Sequence, residues 1–146
     1  MPHQKKVLVF GSGGQDGSLL CNSLIRKNHS VIGVRRSSTK FSKNHCVLGI
    51  QNDLEIKECD LMDFQNLRQL IATENPNEIY NLAAQSSVGK SFTKPIETIE
   101  SIANGTLNIL EACRQIKYEG TLFFAGSSEI FGNTEIAAGI NHPQRP

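Results

Sequence analysis

The feature that most constrains the fold of this chain is the segment KVLVFGSGGQDGSLL, residues 6–20. Four apolar residues are followed at once by three glycines in four positions. Glycine costs about 0.5–1 kcal/mol relative to alanine inside regular structure, so these glycines indicate a backbone that must turn sharply. From Asp16 onwards, leucines recur at helical spacing. The segment therefore predicts a short strand at residues 7–10, a glycine turn and a helix.

The rest of the chain continues this alternation. Further strands are predicted at residues 30–34, 55–59, 78–82 and 121–125, with helices from Asp16 to about Asn28, from Asp63 to Asn75, and from Ile99 to Ile116. Short apolar strands joined by crossover helices form a parallel sheet covered on both faces. Right-handed crossovers give the strand order 3-2-1-4-5. We therefore predict an α/β fold, a doubly wound parallel sheet of the Rossmann type, in one domain over residues 1–146.

Composition excludes several classes of function. A net charge of +1 gives no case for binding nucleic acid or an anionic membrane surface, and the apolar runs are far shorter than a membrane span. The cysteines stand outside any CxxC motif, and no HxxH or HExxH motif occurs. We therefore expect no metal site, no disulfide framework and a cytoplasmic location with reduced thiols.

The glycines Gly11, Gly14 and Gly17 form the pattern G-x-x-G-x-x-G between the first strand and the first helix. The first permits the turn, the second lets a pyrophosphate approach the backbone, and the third lets the helix pack on the sheet. The helix start, with Gln15 and Asp16, then presents free N–H groups to the phosphates. A tight turn without any ligand remains the alternative interpretation.

The end of the second strand favours NADP over NAD. The fingerprint for NAD expects an acidic residue there, but this chain has GVRRSSTK, with no acid between Val31 and Gln51. Arg35 and Arg36 offer guanidinium groups that suit the 2′-phosphate of NADP. A solvated basic loop is the alternative.

Two further strand ends are predicted to contact the cofactor. Asp60 and Leu61 follow the third strand, where the carboxylate can accept a hydrogen bond from an adenine amino group or simply form a turn. The fourth strand is followed by small residues that let the backbone lie along a cofactor. The predicted contacts there are Leu82, Ala83, Ala84, Gln85 and Ser86.

The fifth strand is followed by AGSSEIFG, where Ser127 offers a hydroxyl and Glu129 a carboxylate. A carboxylate in a partly desolvated crevice can act as a general acid or base. We therefore name Ser127 and Glu129 as candidate catalytic residues. A loop serine beside a surface glutamate is the alternative.

The motifs together resemble the N-terminal part of the extended short-chain dehydrogenases/reductases, and most closely the GDP-mannose 4,6-dehydratase family. The specific match is GGQDGSLL. It is followed in family order by VRRSS, CDL, NEIYNLAAQSSV, SF, GTLNILEACR and SSEIFG. The resemblance covers almost the whole chain.

The resemblance implies a redox cycle on a GDP-sugar substrate. Bound NADP takes hydride from C4 of GDP-mannose, a glutamate removes the C5 proton and helps expel the C6 hydroxyl as water, and the hydride returns to C6. By motif position, Glu129 matches that glutamate. Ser127 matches the hydroxyl that contacts the C4 oxygen. The long helix from Ile99 to Ile116 implies a homo-oligomer interface in the full-length protein.

The chain departs from the family pattern in lacking the catalytic Tyr-x-x-x-Lys, and Glu97 stands where the dehydratases tend to carry a tyrosine. We interpret the chain as truncated before the Tyr-x-x-x-Lys helix and the substrate domain, and expect it to be inactive by itself. Three alternatives remain open: a related sugar-nucleotide epimerase or dehydratase, a non-catalytic NADP-binding module, and a structural subunit. Continuation of the reading frame into a Tyr-x-x-x-Lys helix would favour an enzyme over a module.

Overall fold

Five parallel strands form one sheet in the computed structural model, which describes residues 3–36 and 41–144, without the side chains of residues 128 and 129. The strands are β1 (Lys6–Phe10), β2 (Ser30–Arg35), β3 (Leu54–Glu58), β4 (Glu78–Asn81) and β5 (Thr121–Phe124). Their order is β3-β2-β1-β4-β5. The predicted doubly wound parallel sheet and its strand order are confirmed, and each predicted strand is present with ends that differ by one residue at most.

Strand β1 lies in the middle of the sheet and divides the core into two layers. Its Leu8 and Phe10 point into one apolar cluster, while Val7 and Val9 point into another on the opposite face. All four side chains are at most 1% exposed, as expected for a central parallel strand covered on both faces.

The α-helices within the described ranges cover both faces of the sheet. They are α1 (Gln15–Arg26), α2 (Lys43–Leu48), α3 (Phe64–Glu74), α4 (Val88–Thr93), α5 (Pro95–Ile99) and α6 (Gly105–Gln115). Helices α3 and α6 contribute to the cluster around Leu8, and α1 contributes to the cluster around Val7. Within the described residues, no helix combines the length and the apolar character needed to cross a membrane.

The start and end of α3 follow from local chemistry. The Asp63 carboxylate accepts a hydrogen bond from the backbone N–H of Asn66 at 3.2 Å, as in an N-cap. The helix ends at Glu74, and Asn75 takes the left-handed conformation with φ 41°. The next residue is Pro76, which disfavours a helical conformation at the residue before it. The predicted cap and terminator are confirmed.

The predicted uniform helix from Ile99 to Ile116 is wrong in one respect. Residues Glu100–Asn104 form a π-helical segment between α5 and α6. A π turn holds more residues than an α turn, so apolar positions spaced at 3.6 residues do not stay on one face across it. Ile99, before the π segment, is 60% exposed, whereas Ile109, after it, is fully buried.

The turn from β1 into α1 brings the start of the helix very close to the end of the strand. Gly11 has φ 78°, and its N–H donates to the carbonyl of Val34. A Cβ on Gly17 would lie 2.2 Å from the carbonyl oxygen of Gly11, which is backbone and cannot move aside. Gly17 therefore sets how closely α1 approaches the strand end.

We expect Leu67→Ala to lower the free energy of unfolding by about 2–5 kcal/mol, because Leu67 is fully buried against the sheet. Leu107→Ala is the matched control, since Leu107 lies on α6 and is 62% exposed. Urea unfolding followed by circular dichroism measures both. Equal losses in the two variants would contradict the packing described here.

We expect Gly17→Ala to destabilise the chain by more than about 1 kcal/mol, since the new Cβ meets the Gly11 carbonyl. Gly89→Ala in α4 is the control, because a Cβ there meets nothing within 4 Å. In a helix that exchange is worth up to about 1 kcal/mol in favour of alanine. In thermal unfolding, the Tm should therefore fall for Gly17→Ala and rise for Gly89→Ala.

Candidate functional site

A cavity of about 350 Å³ opens at the carboxyl ends of β1 to β4. It lies beside β1, where the strand order reverses, and ligands of open α/β sheets bind at this kind of switch point. The walls come from the glycine turn, the ends of β2 and β3, the segment after β4, and the α5–π segment. The lining residues are Phe10, Gly11, Gly14, Val34, Arg35, Arg36, Cys59, Asp60, Leu61, Met62, Leu82, Ala83, Ala84, Glu97, Glu100 and Ser101.

The glycine turn forms the wall next to α1. Gly11 and Gly14 line the cavity, and the N–H of Gly14 donates to the carbonyl of Gly11 at 3.0 Å. Gly14 is the N-cap of α1, so the first-turn N–H groups of Gln15 and Asp16 have no acceptor within the helix. These N–H groups and the helix dipole favour an anion there. Gly17 is buried behind the turn rather than on the cavity wall.

Arg35 and Arg36 line the cavity at the end of β2. The Arg35 side chain lies against the glycine turn, because a Cβ on Gly13 would be only 2.7 Å from Arg35 Nε. The absence of a side chain at Gly13 therefore allows the guanidinium group to lie beside the glycine turn. The two arginines bring positive charge to the same wall as the start of α1.

Asp60 both lines the cavity and forms a turn. Its Oδ1 accepts a hydrogen bond from the backbone N–H of Met62 at 3.0 Å, and its carbonyl accepts from the N–H of Asp63. Leu61 is 7% exposed, and its carbonyl accepts a 2.8 Å hydrogen bond from Asn108 of α6. The turn-former interpretation of Asp60 thus holds alongside its place on the cavity wall.

The segment after β4 lines the cavity with Leu82, Ala83 and Ala84. Gln85 instead holds the local loop: its side-chain amide donates to the carbonyl of Ser87 and to Thr98 Oγ1. Ser86 is exposed, and neither Gln85 nor Ser86 is on the cavity wall.

Asn81, which the sequence did not single out, holds the segment after β4 in place through its side-chain amide. It is 2% exposed, donates to Thr106 Oγ1 at 3.2 Å and accepts from the N–H of Ala83 at 3.1 Å. The sequence signal that could have pointed to Asn81 is an amide side chain at the carboxyl end of the strand EIYN.

The α5–π segment supplies a further wall with Glu97, Glu100 and Ser101. The resemblance singled out Glu97, at a position where the dehydratases tend to carry a tyrosine, whereas Glu100 and Ser101 were not predicted. Ser101 Oγ accepts the N–H of Gln85 at 3.2 Å and so ties this wall to the loop after β4. Hydrogen bonding to Lys94 lowers the pKa of the exposed Glu97, and the nearby charges of Lys94 and Arg36 lower it further. The wall is therefore acidic and faces the arginine wall.

The segment after β5 carries the candidate catalytic residues. Ser127 is exposed and does not line the cavity, and its carbonyl accepts from the N–H of Ile130 in a 3₁₀ segment, Ser128–Phe131. The side chain of Glu129 lies outside the described part of the structure. The catalytic pair stays a prediction.

Comparison with known proteins places this site in a family. A family model described as GDP-mannose 4,6 dehydratase matches residues 8–146. GDP-mannose 4,6 dehydratase 1 of Arabidopsis thaliana is 39% identical over 90% of this chain and 39% of its own length. The GDP-mannose 4,6-dehydratase of Vibrio cholerae is 38% identical over 88% of this chain and 37% of its own. The chain thus spans less than two fifths of these relatives.

Solved structures share the fold. The UDP-glucose 4-epimerase of Thermus thermophilus, solved in complex with NAD, superposes with a TM-score of 0.81 at 28% identity, over 97% of this chain and 44% of that one. The UDP-Glc/GlcNAc 4-epimerase of Campylobacter jejuni gives a TM-score of 0.83 at 22% identity, over 97% and 43%. With the family model matching nearly the whole chain, this chain belongs to the GDP-mannose 4,6-dehydratase family.

Proposed function

We propose that this chain is the NADP-binding part of an enzyme that converts GDP-mannose to GDP-4-keto-6-deoxymannose. The observation that carries the proposal is the cavity at the switch point, bounded by Gly11 and Gly14 on one side and by Arg35 and Arg36 on another. The family match supports the reaction, since the curated relatives are named as GDP-mannose 4,6-dehydratases.

The residues of the cavity fit a nicotinamide dinucleotide. The volume of the cavity lies within the range of about 300–1,000 Å³ that is typical of small-molecule sites. A Cβ on Gly11 would lie 2.7 Å from the backbone of Leu82, and one on Gly14 would lie 3.4 Å from the carbonyl oxygen of Gly11. The bare backbone at the start of α1 leaves its N–H groups open to a pyrophosphate. The named NAD complex of the Thermus thermophilus epimerase supports a cofactor of this class.

Arg35 and Arg36 favour NADP within that class. Guanidinium groups bind a phosphate through paired, charge-assisted hydrogen bonds, and Arg35 already lies against the glycine turn. An acidic residue that would hold the 2′-hydroxyl of NAD is missing from the end of β2.

Bound NADP would supply a hydride acceptor and then a hydride donor, so that the sugar is oxidised at C4 and reduced at C6. Ser127 would donate a hydrogen bond to the oxygen on C4. Glu129 would remove the proton on C5 and pass it to the C6 hydroxyl as that group leaves as water. The proton released from the C4 hydroxyl would go to a base such as the tyrosine of the family's Tyr-x-x-x-Lys motif, and a proton would return to C5 when the hydride adds to C6, so that the net change is the loss of one water. General acid–base catalysis of this kind contributes about 10²–10⁴-fold to a rate.

We expect the chain to bind NADP more tightly than NAD, and the double variant Arg35→Ala/Arg36→Ala to lose that preference. Charge-assisted hydrogen bonds contribute about 1.5–3 kcal/mol each, so we expect the Kd for NADP to rise about tenfold to a hundredfold for each such bond that is lost. The Kd for NAD should change little. Isothermal titration calorimetry with both nucleotides measures this.

The matched control is Arg26→Ala/Lys27→Ala, which removes the same charge at the far end of α1. It should leave the preference for NADP intact. The cofactor proposal fails if neither nucleotide binds a folded chain, as judged by circular dichroism on the same sample. The 2′-phosphate assignment fails if both double variants weaken NADP equally.

We expect Glu129→Gln to lower kcat by about 10²–10⁴-fold in the full natural protein that carries this sequence, with little change in NADP affinity. The assay follows the conversion of GDP-mannose into a product lighter by one water, by mass spectrometry. Glu135→Gln is the control, since Glu135 is an exposed glutamate in the same segment. Similar rates for both variants would refute the role of Glu129.

A further inference from the structure

Helix α2 holds the glycine turn from the side opposite β2. Asn44 Nδ2 donates to the carbonyl of Gly13 at 3.2 Å, and His45 Nε2 donates to the carbonyl of Ser12 at 2.7 Å. Ser12 and His45 are both fully buried. On its other side, Ser12 Oγ donates to the carbonyl of Val34 at 3.4 Å. The turn is thus fixed between β2 and α2 by polar contacts.

The contacts of His45 select its neutral form. Its Nδ1 accepts a hydrogen bond from the backbone N–H of Ser42 at 3.3 Å, and Ser42 Oγ accepts the N–H of His45 at 3.2 Å. The ring proton therefore resides on Nε2, where it is donated to Ser12. A second proton on Nδ1 would face the Ser42 N–H and break the box that starts α2.

The contact with Ser12 also sets a donor on the turn. The peptide between Ser12 and Gly13 is trans and planar, so its carbonyl and its N–H point in opposite directions. With the carbonyl bound to His45, the N–H of Gly13 is turned away from α2. Gly13 is the residue against which the Arg35 guanidinium lies. His45 thereby orients a backbone donor beside the proposed 2′-phosphate position.

The surroundings of His45 oppose its protonation. Burial lowers the pKa of His45, the hydrogen bond to Ser12 raises it, and the positive charge of Arg35 lowers it, with a net decrease. Among the residues that the structure describes, Arg35 is the group whose charge acts on His45. Further ionisable residues on the surrounding elements are Asp16, Cys21 and Arg26 on α1, Arg36 after β2, Lys43 and Cys46 on α2, and Asp53 before β3.

We propose that His45 is a positioning residue for the phosphate-binding turn, and that its protonation breaks the contact of Nδ1 with the Ser42 N–H, displaces the start of α2 with Asn44 and His45, and so releases the turn from the conformation that binds the dinucleotide. The inference rests on the proposed function, because it assumes that a dinucleotide occupies the cavity. The proton and the dinucleotide then compete. Bound NADP lowers the pKa of His45, and the affinity for NADP falls as the pH drops through the pKa of His45 in the free chain.

The experiment follows the histidine ring resonances by NMR as a function of pH, in the wild-type chain with and without NADP. We expect the pKa of His45 to fall by at least about half a unit when NADP is bound. The ring resonances of His29 are the internal control and should not respond to NADP, because that histidine contacts Lys5 at the opposite end of the sheet. This measurement needs no variant, so it decides the question even where a substitution impairs folding.

The second arm uses His45→Gln, which keeps a donor for Ser12 but cannot be protonated. Its Kd for NADP at about pH 7.5 serves as its own reference, because glutamine also lacks the Nδ1 acceptor for the Ser42 N–H. From there to about pH 5.5 the wild-type Kd should rise several-fold more than that of the variant. The 2′-phosphate itself titrates near about pH 6, but it does so equally in both chains. His29→Gln should keep the wild-type profile.

The outcomes separate this inference from the proposed function. If wild type binds NADP while the pKa of His45 is unmoved and His45→Gln keeps the wild-type pH profile, His45 is merely structural and the inference is overturned. The NADP site then still stands. If folded wild type binds neither nucleotide at about pH 7.5, the proposed function fails and the inference fails with it.

Discussion

The close approach of α1 to the end of β1 is the constraint on which the rest of this structure depends. Gly17 lies so near the Gly11 carbonyl that a single Cβ would overlap the backbone. This distance places the start of α1, with its unpaired N–H groups and positive dipole, at the edge where four parallel strands end. The cavity, the arginine wall and the support from α2 are all arranged around that point.

Positively and negatively charged side chains line different walls of the cavity. Arg35 and Arg36 approach from β2, while Glu97 and Glu100 approach from the α5–π segment. Glu97 pairs with Lys94, and the charge of Arg36 adds to the lowering of its pKa. The acidic wall reduces the positive potential inside the cavity, so an anion there gains less than the two arginines alone would give.

Most of the sheet and much of the site were predictable, because the relevant signals are local. The apolar run before Gly11, the Asp63 cap and the basic end of β2 each lie within a few residues of the structure they predict. Helix α2 gave no such signal, since KNHCVL is too short for apolar periodicity to emerge. The wall formed by Glu97, Glu100 and Ser101 depends on how a distant segment packs, which no local pattern encodes.

The buried polar residues that hold the segments around the cavity in place were the hardest to predict from the sequence. Asn81 and His45 are buried polar residues whose partners are backbone groups at other points of the chain. A histidine in a polar stretch is most simply interpreted as exposed, and only the path of α2 across the turn gives it a role. Ser127 and Glu129 remain predictions drawn from the order of motifs.

The π segment Glu100–Asn104 has a consequence for how this chain tolerates changes in length. A π turn holds one residue more than an α turn. Loss of a single residue there would restore a regular helix, and the part before it would rotate by about 100° relative to α6. Glu97, Glu100 and Ser101 would then leave the cavity, although no residue of the cavity had been substituted. A one-residue deletion in this segment would thus remove an entire wall of the cavity.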